Sequence, residues 1–341
     1  MIVAAAPGPE WLPRLRDFIA RELGLEGELR ARRVLGGQSN PTWFVDVGTR
    51  RLVLRMQPTG ELLPSAHALD RESRVLRALE GTGVAVPHVL CYSDDRSVVG
   101  TTFYLMDRID GRIFHSAMLE GIGPRERREM YRAAAEMLAR LHAVDWNAAG
   151  LADFGKHDAY FARQLHRWTR QWEASRQRPI PELDRLIAWL PDHLPPQQET
   201  TICHGDYRFG NLMFAPAGTS IVGVLDWELS TLGDPLADLG YLCMLYYVGS
   251  ARGGVADADL TTLGIPSQDE LLADYNRSAG RERKLLPFHI AFAFFRFAVI
   301  FAGIEDRARR GNAADPNAAA YSANRADVLA KLACKLANIP E

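Results

Sequence analysis

The sequence predicts an α+β protein of two unequal lobes, a small antiparallel sheet followed by a larger, mainly helical part. Three observations carry this expectation. The first third of the chain alternates strand-like apolar runs with glycine turns, and beyond Gly111 the apolar spacing becomes helical. Within the helical part a single short β insertion holds a group of Asp and Asn residues. A chain of 341 residues is long enough for one elaborate domain or two lobes. Its 47% hydrophobic and 24% charged content excludes a disordered or simple fibrous protein. The 40 Lys and Arg nearly cancel the 42 Asp and Glu, leaving a net charge of -2. Such a chain has no global field for nucleic acid or an anionic membrane, so a charged partner must meet a local patch.

Taken in order, Trp11 to Leu23 carries helical apolar spacing. From Arg30 the runs RARRVLGG, TWFVDVG and RLVLRMQ read as an antiparallel meander, turning at Gly36-Gly37 and Gly48-Thr49. A helix from about Ala66 to Leu79 follows, and VPHVLCYSD and TTFYLMDRI predict two further strands before IDGRIF breaks the period at Gly111. Arg125 to Val144 then places Met130, Ala134, Met137, Leu138 and Leu141 on one helix face. Around Thr201 to Trp227, NLMF and IVGVLDW flank the turn-rich APAGTS and predict a hairpin. The most apolar run, Phe288 to Ile304, is about the shortest that spans a bilayer. Arg296 near its middle makes a buried helix of a soluble protein the expectation. MIVAAAPGPEWLPRL has no basic segment ahead of an apolar one, so no secretory signal is expected. Cys91, Cys203, Cys243 and Cys334 are widely separated and form no CxxC pair, which argues against a zinc ribbon or disulfide scaffold and fits a reducing cytoplasm.

The chemistry concentrates in CHGDYRFGNLMF. Asn211 opens the first hairpin strand and Asp226 closes the second, so antiparallel pairing brings the two together at one end. An amide and a carboxylate side by side outline a Mg²⁺ site, because that ion takes oxygen donors and keeps waters and substrate phosphates as its other ligands. Asp206, on the loop just before, is placed to accept a hydroxyl proton. Taken singly, Asp206 reads equally as a loop cap and Asp226 as a turn residue.

The run HGD-x4-N followed by LDWE resembles the catalytic and metal-binding segments of the aminoglycoside phosphotransferase and choline kinase family, relatives of the protein kinases. The resemblance implies a protein-kinase-like bilobal fold, with an N-lobe over 1–106, a hinge over 107–111 and a helical C-lobe over 112–341. It makes Asp206 the catalytic aspartate, Asn211 and Asp226 the metal ligands, and His204 a brace for the loop. ATP and Mg²⁺ are the implied cofactors. Gly36, Gly37, Gln38, Ser39 and Asn40, in VLGGQSNPTW, fall where the family has its nucleotide-covering loop, although the GxGxxG of protein kinases is absent. Arg55 stands where the family has a phosphate-contacting lysine, and Glu72 is placed to pair with it. Arginine keeps the charge but not the shape of lysine. FYLMDRIDG resembles the hinge, with backbone groups near Asp107 and Ile109 reading the adenine edge. Arg208 is a candidate for neutralising the transferred phosphoryl group, or else forms a salt bridge within the loop. In GDPLADL, Asp238 is expected to cap backbone amides of the catalytic loop, and His142 is expected to be a satisfied core histidine.

The acceptor side is encoded more thinly. In DAYFARQLHRWTRQWEASRQR the apolar Phe161, Leu165, Trp168 and Trp172 lie opposite Arg163, Arg167 and Arg170, a stripe that is either solvated or borders a cleft for an anionic substrate. Arg296 in its apolar helix requires either an internal carboxylate or an anionic ligand. The segments YFARQLHRW, HGDYRFGN, VLDWE and GDPLADL look like the family branch of kinase-like domains fused to some acyl-CoA dehydrogenases, over most of residues 30 to 310. The reading is therefore an ATP-dependent kinase transferring the γ-phosphoryl group to a small-molecule hydroxyl, with a hydroxyacyl-CoA or another anionic compound as candidate acceptor. An aminoglycoside kinase and a catalytically silent nucleotide-binding regulator are the alternatives. No nucleic-acid or membrane partner is expected, and the sequence is silent on oligomeric state.

Overall fold

The computed structural model describes residues 9–34, 40–58, 69–309 and 324–340. The chain divides into two units, one of Met1–Gly81 with Val86–Asp110 and one of Thr82–Ala85 with Gly111–Glu341.

In the first unit α1 (Leu12–Leu23) precedes strands β1 (Leu29–Arg33), β2 (Thr42–Val47) and β3 (Arg50–Met56). These are followed by α2 (Leu69–Leu79), β4 (Val89–Ser93), the single turn α3 (Arg96–Val99) and β5 (Phe103–Asp107). The sheet is antiparallel in the order β1-β2-β3-β5-β4, so the last strand slots between β3 and β4 rather than extending the edge. Strand period decides what β3 offers to each side. Leu52, Leu54 and Met56 enter a core with Leu15, Phe18 and Ile19 of α1 and with Phe103 and Leu105. Arg55, one step out of phase, goes to the opposite face and meets α2 there.

The second unit is mainly helical, as the apolar spacing predicts. Its elements are β6 (Arg112–Ile113), α4 (Pro124–Ala143), α5 (Tyr160–Ser175), α6 (Pro181–Trp189), β7 (Thr201–Cys203), β8 (Leu212–Phe214), β9 (Ile221–Val224), β10 (Thr231–Gly233), α7 (Pro235–Cys243), α8 (Leu260–Leu263), α9 (Gln268–Ala279) and α10 (Pro287–Arg309), with a last described helix Arg325–Leu336. The predicted hairpin is β8–β9, but it has more company than its sequence suggested. β6 adds a third strand beside β8, and β7 pairs with β10 in a separate ladder. Two- and three-residue strands show no period, which is why they are invisible in the sequence. The break at Gly111 is the entry to β6: a Cβ there would sit 2.4 Å from the Phe214 carbonyl oxygen, so only glycine admits the strand.

α10 packs against α5, α7 and the last helix. Its stretch Pro287–Asp306 is long and apolar enough to cross a membrane, with a mean hydropathy of 1.8, but 72% of that window is buried inside the protein. Phe288 and Phe292 meet Phe161 of α5 edge to face, making it a core helix. All four cysteines are unpaired.

Candidate active site

β7 and β10 hold the two ends of the HGD loop and the LDWE turn in one ladder, with Cys203 opposite Thr231. From β7 the chain passes through His204 to Arg208, makes one 3-10 turn over Phe209–Asn211, and enters β8. Gly205 has a φ of 83°, and a Cβ would come 2.6 Å from the Leu229 carbonyl oxygen, so glycine is required on both counts. Tyr207 anchors the loop by donating from its hydroxyl to the Ala134 carbonyl of α4 at 2.8 Å.

Asp238 of α7 fixes the loop's backbone. Its carboxylate, 1% exposed, accepts from the His204 N–H at 2.6 Å and the Gly205 N–H at 2.8 Å, and lies 3.3 Å from His142 Nε2. Burial by itself raises the Asp238 pKa, but the His142 hydrogen bond and charge, the nearby His204 and the Gly205 N–H outweigh it, and the carboxyl is held below its usual range. His142 closes the network through Nδ1, 2.8 Å from the Tyr275 hydroxyl, as a satisfied core histidine. Asp234 caps α7 by accepting from the Leu236 N–H, and its burial pushes its pKa up to about 6 despite that bond. His204 braces the loop against the hairpin. Its Nδ1 accepts from the Asp206 N–H at 3.1 Å and its Nε2 donates to the Leu225 carbonyl at 2.9 Å, a pairing that requires the neutral tautomer protonated on Nε2.

At the end of the hairpin the Leu225 N–H donates to the Asn211 carbonyl at 2.8 Å, which sets Asn211 opposite Leu225, the residue before Asp226. Asp226 adopts a φ of 68°, a left-handed conformation uncommon for a non-glycine residue and concentrated at functional sites. The Asn211 amide nitrogen donates to the Asp206 carbonyl at 2.9 Å and to Asp206 Oδ2 at 2.8 Å. Asp206 Oδ1 accepts from the Tyr241 hydroxyl of α7 and lies 3.5 Å from Arg208 Nε. Asp206, Asn211, Asp226 and Arg208 thus gather at one end of the hairpin, with Asp206 held in one orientation from both sides.

The remaining predicted residues belong to the first unit. Arg55 and Glu72 pair, Nη2 to Oε1 at 2.9 Å, with the Glu72 carboxylate 3% exposed. Asn40, expected as a phosphate donor, lies beside this pair. Its amide nitrogen faces Glu72 Oε2 at 3.5 Å, because a buried carboxylate demands donors beyond one guanidinium. The Asp107 N–H is likewise engaged, donating to the His88 carbonyl at 2.9 Å, while its carboxylate pairs with Arg50. Its amide therefore does not serve as a free hinge donor. Ile109 follows in coil, and its N–H enters no hydrogen bond among the described residues. Gly36, Gly37, Gln38 and Ser39 lie outside the described residues.

Comparison with known proteins decides what this arrangement belongs to. The family model described as "Phosphotransferase enzyme family" matches residues 30–282, well over half of the chain. The chain belongs to the phosphotransferase enzyme family. It accordingly has a kinase-like fold, and its family is one of phosphotransferases. Among curated relatives, acyl-CoA dehydrogenase family member 10 of Mus musculus is 45% identical over 291 residues, 83% of this chain and 27% of the relative. The probable acyl-CoA dehydrogenase IBR3 of Arabidopsis thaliana is 41% identical over 81% of this chain and 36% of its own. The chain thus spans only about a quarter to somewhat over a third of the curated relatives it matches. A Ralstonia eutropha protein, provisionally described as an aminoglycoside phosphotransferase, has a crystal structure that superposes with a TM-score of 0.86 at 37% identity, covering 96% of this chain and 98% of that one.

As a member of this family, the phosphotransferase carries site residues that pattern reading passed over. Tyr241 touches Asp206 directly, yet in GDPLADLGYL it reads as one more apolar residue of a helix; its only signal is its position seven residues after Asp234. Tyr207 is equally silent, since nothing local says that its hydroxyl reaches α4. The arginine stripe of α5 is at the surface or close to it. Arg163 pairs with Asp158, and Arg167 and Arg170 are exposed. The side-chain requirement of Arg296 is not met by a carboxylate: among the described residues it forms no salt bridge, and its guanidinium lies 5.3 Å from the Trp168 ring centre.

Proposed function

We propose that this phosphotransferase uses ATP and Mg²⁺ to phosphorylate a hydroxyl of a small anionic molecule, a hydroxyacyl-CoA being the leading candidate. The observation that carries the reading is the Asp206 carboxylate, gripped by Tyr241 on one oxygen and Asn211 on the other, on a loop whose backbone is tied to buried Asp238. A carboxylate so oriented receives the hydroxyl proton while the acceptor oxygen bonds to the γ-phosphorus. The bond from that phosphorus to the β,γ-bridging oxygen breaks, and ADP leaves. Catalysis of this kind rests on positioning and charge neutralisation rather than on covalent chemistry.

The donor set at the hairpin end fits Mg²⁺. Asn211 spends its amide nitrogen on Asp206, which turns its oxygen away as a ligand, and Asp226 adds a carboxylate. Among the described residues no cluster of three or more His, Cys, Asp or Glu could hold a metal, so a transition-metal cage is not the comparison; one amide and one carboxylate suit an ion that keeps waters and phosphates as ligands. When bound there, Mg²⁺ supplies positive charge to phosphate oxygens. Arg208, its side chain 46% exposed beside Asp206, steadies the transferring phosphoryl group, and Arg55, fixed by Glu72, contacts the nucleotide phosphates. Support for a nucleotide donor comes from aminoglycoside phosphotransferase APH(4)-Ia, of the same fold at a TM-score of 0.60 and 14% identity over 93% of this chain and 98% of its own, which was crystallised as a ternary complex with ADP and hygromycin B. The acyl-CoA dehydrogenase relatives support an acyl thioester acceptor over an aminoglycoside.

The test is ADP release by the full chain across hydroxyacyl-CoA esters, hydroxy acids, amino alcohols and aminoglycosides. Thermal shift with ATP plus Mg²⁺ runs alongside. Asp206→Ala is expected to lose transfer by roughly a thousandfold, within the span of general-base effects, and to keep the nucleotide-induced shift. Undiminished turnover by that variant overturns the assignment of Asp206. Nucleotide binding with no turnover on any acceptor favours a silent regulator instead.

A further inference from the structure

The centre of α10 holds a charge that the protein itself does not satisfy. Arg296 is 7% exposed, and its Nε is sealed from solvent without a hydrogen-bond partner. No hydrogen bond or ion pair reaches its terminal nitrogens among the described residues either, and those nitrogens retain contact with solvent. The nearby carboxylates are already committed. Asp238 serves His204, Gly205 and His142, Asp234 caps α7, and Asp206 is held by Tyr241, Asn211 and Arg208.

What Arg296 does have is the indole of Trp168, 5.3 Å from its guanidinium carbon. Arg167 lies over the same ring at the same 5.3 Å. Cation–π attraction is a weak substitute for an ion pair at a buried site. An anion beside Arg296 supplies the missing partner, and a planar guanidinium is suited to a carboxylate or phosphate. The position is also informative. Phe297, next along the helix, packs its ring 4.8 Å from that of Tyr241, and Tyr241 donates to Asp206. Burial raises the pKa of Tyr241, Tyr160 and Cys203 near the base of the same loop, and the Arg296 charge is among the smaller influences that oppose the rise.

We propose that Arg296 on Trp168 is the anion seat of the acceptor site, so that the molecule phosphorylated carries a carboxylate or phosphate in addition to its hydroxyl. This deepens, and rests on, the reading of Asp206 as the residue that receives the hydroxyl proton. The seat lies on α10 beside Phe297, whose ring packs on the Tyr241 that donates to Asp206, and it selects for anionic acceptors and against polycationic ones.

The test is calorimetric titration of the full chain with inorganic phosphate, hydroxybutyrate, its neutral isostere hydroxybutyramide, and hydroxybutyryl-CoA. An anionic probe is expected to bind, with hydroxybutyramide at least roughly tenfold weaker than hydroxybutyrate or its CoA ester, about 1.4 kcal/mol. Arg296→Gln is expected to lose that preference, Arg296→Lys to recover part of it, and KM for the anionic acceptor to rise more than kcat falls. A loss confined to hydroxybutyrate assigns the seat to the acceptor's own carboxylate; a loss confined to the thioester assigns it to the CoA phosphates. The proposal is overturned if the amide binds as well as its anionic counterparts, if Arg296→Gln binds the anion as wild type does, or if none of the anionic probes binds. Should the glutamine variant not fold, the acid and amide comparison on the wild-type chain decides. Transfer that is indifferent to acceptor charge removes the seat and leaves the kinase reading standing, whereas charge-selective binding without transfer to any acceptor does the reverse.

Discussion

Two buried charges in the helical unit are treated in opposite ways. Asp238, beneath the catalytic loop, is surrounded by the His204 and Gly205 amides and His142, and that network ends in Tyr275. Arg296, in the middle of α10, is nearly as buried and has an indole where an ion pair would be expected. A buried ion is costly unless the fold supplies its partners. The first charge is therefore part of how the loop is built, and the second is a cost the fold carries for a ligand.

The comparison can be broken most sharply at Asp238. Asp238→Ala strands two backbone N–H groups and a buried histidine, and is expected to cost about 3–5 kcal/mol of unfolding free energy, the usual penalty for breaking one side of a buried charged pair. Chemical denaturation measures it; a loss below about 1 kcal/mol would mean that the network is ornamental. Asp238→Asn retains the volume but turns a donor toward a donor, so it is expected to recover little of the loss.

Asp234 sharpens the same contrast through pH. Its folded pKa is raised from 3.8 to about 6, so the folded protein holds this proton more tightly than the unfolded chain does. Its contribution is therefore most favourable below pH 4 and is lost as pH rises through 6. Asp238 runs the other way: its depressed pKa contributes stability above the ordinary carboxylate range, lost as pH falls through the folded value. Asp234→Asn keeps a good helix cap and removes the titration. It is expected to gain on the order of 2 kcal/mol relative to wild type between pH 4 and pH 7. Parallel stability curves for the two proteins across that range would refute the account.

The smallest effect belongs to Arg296. Removing an unpaired buried charge costs little, so Arg296→Met, which keeps the length and apolar stem, is expected to leave unliganded stability within about 1 kcal/mol of wild type or to raise it. A drop comparable with that of Asp238→Ala would show that Arg296 is structural.

Much of the fold was legible because its elements have period. β2, β3 and β5 are short apolar runs bounded by turn residues, α4 and α5 segregate apolar and charged faces, and each lies where the spacing places it. The Arg55 and Glu72 pairing was readable through the family resemblance and not from phase alone, and the two side chains do pair. Asn40 and Asp107 show what one dimension hides. Both carry polar groups engaged by neighbours that arrive from elsewhere in the chain, Glu72 for one and His88 for the other. Tyr241 was missed because an aromatic on a buried helix face has the same pattern whether its hydroxyl is idle or bonded to Asp206.

The sequence by itself determined the fold class, the hairpin, and the nearness of Asp206, Asn211 and Asp226 to one another at its end, because periodicity and short-range spacing are properties of the chain. Only the tertiary structure decided which charges are satisfied. Whether Asp238 finds its amides or Arg296 finds a carboxylate depends on segments brought together from distant parts of the sequence, and the energy of a buried charge is set by those neighbours, not by its own residue type.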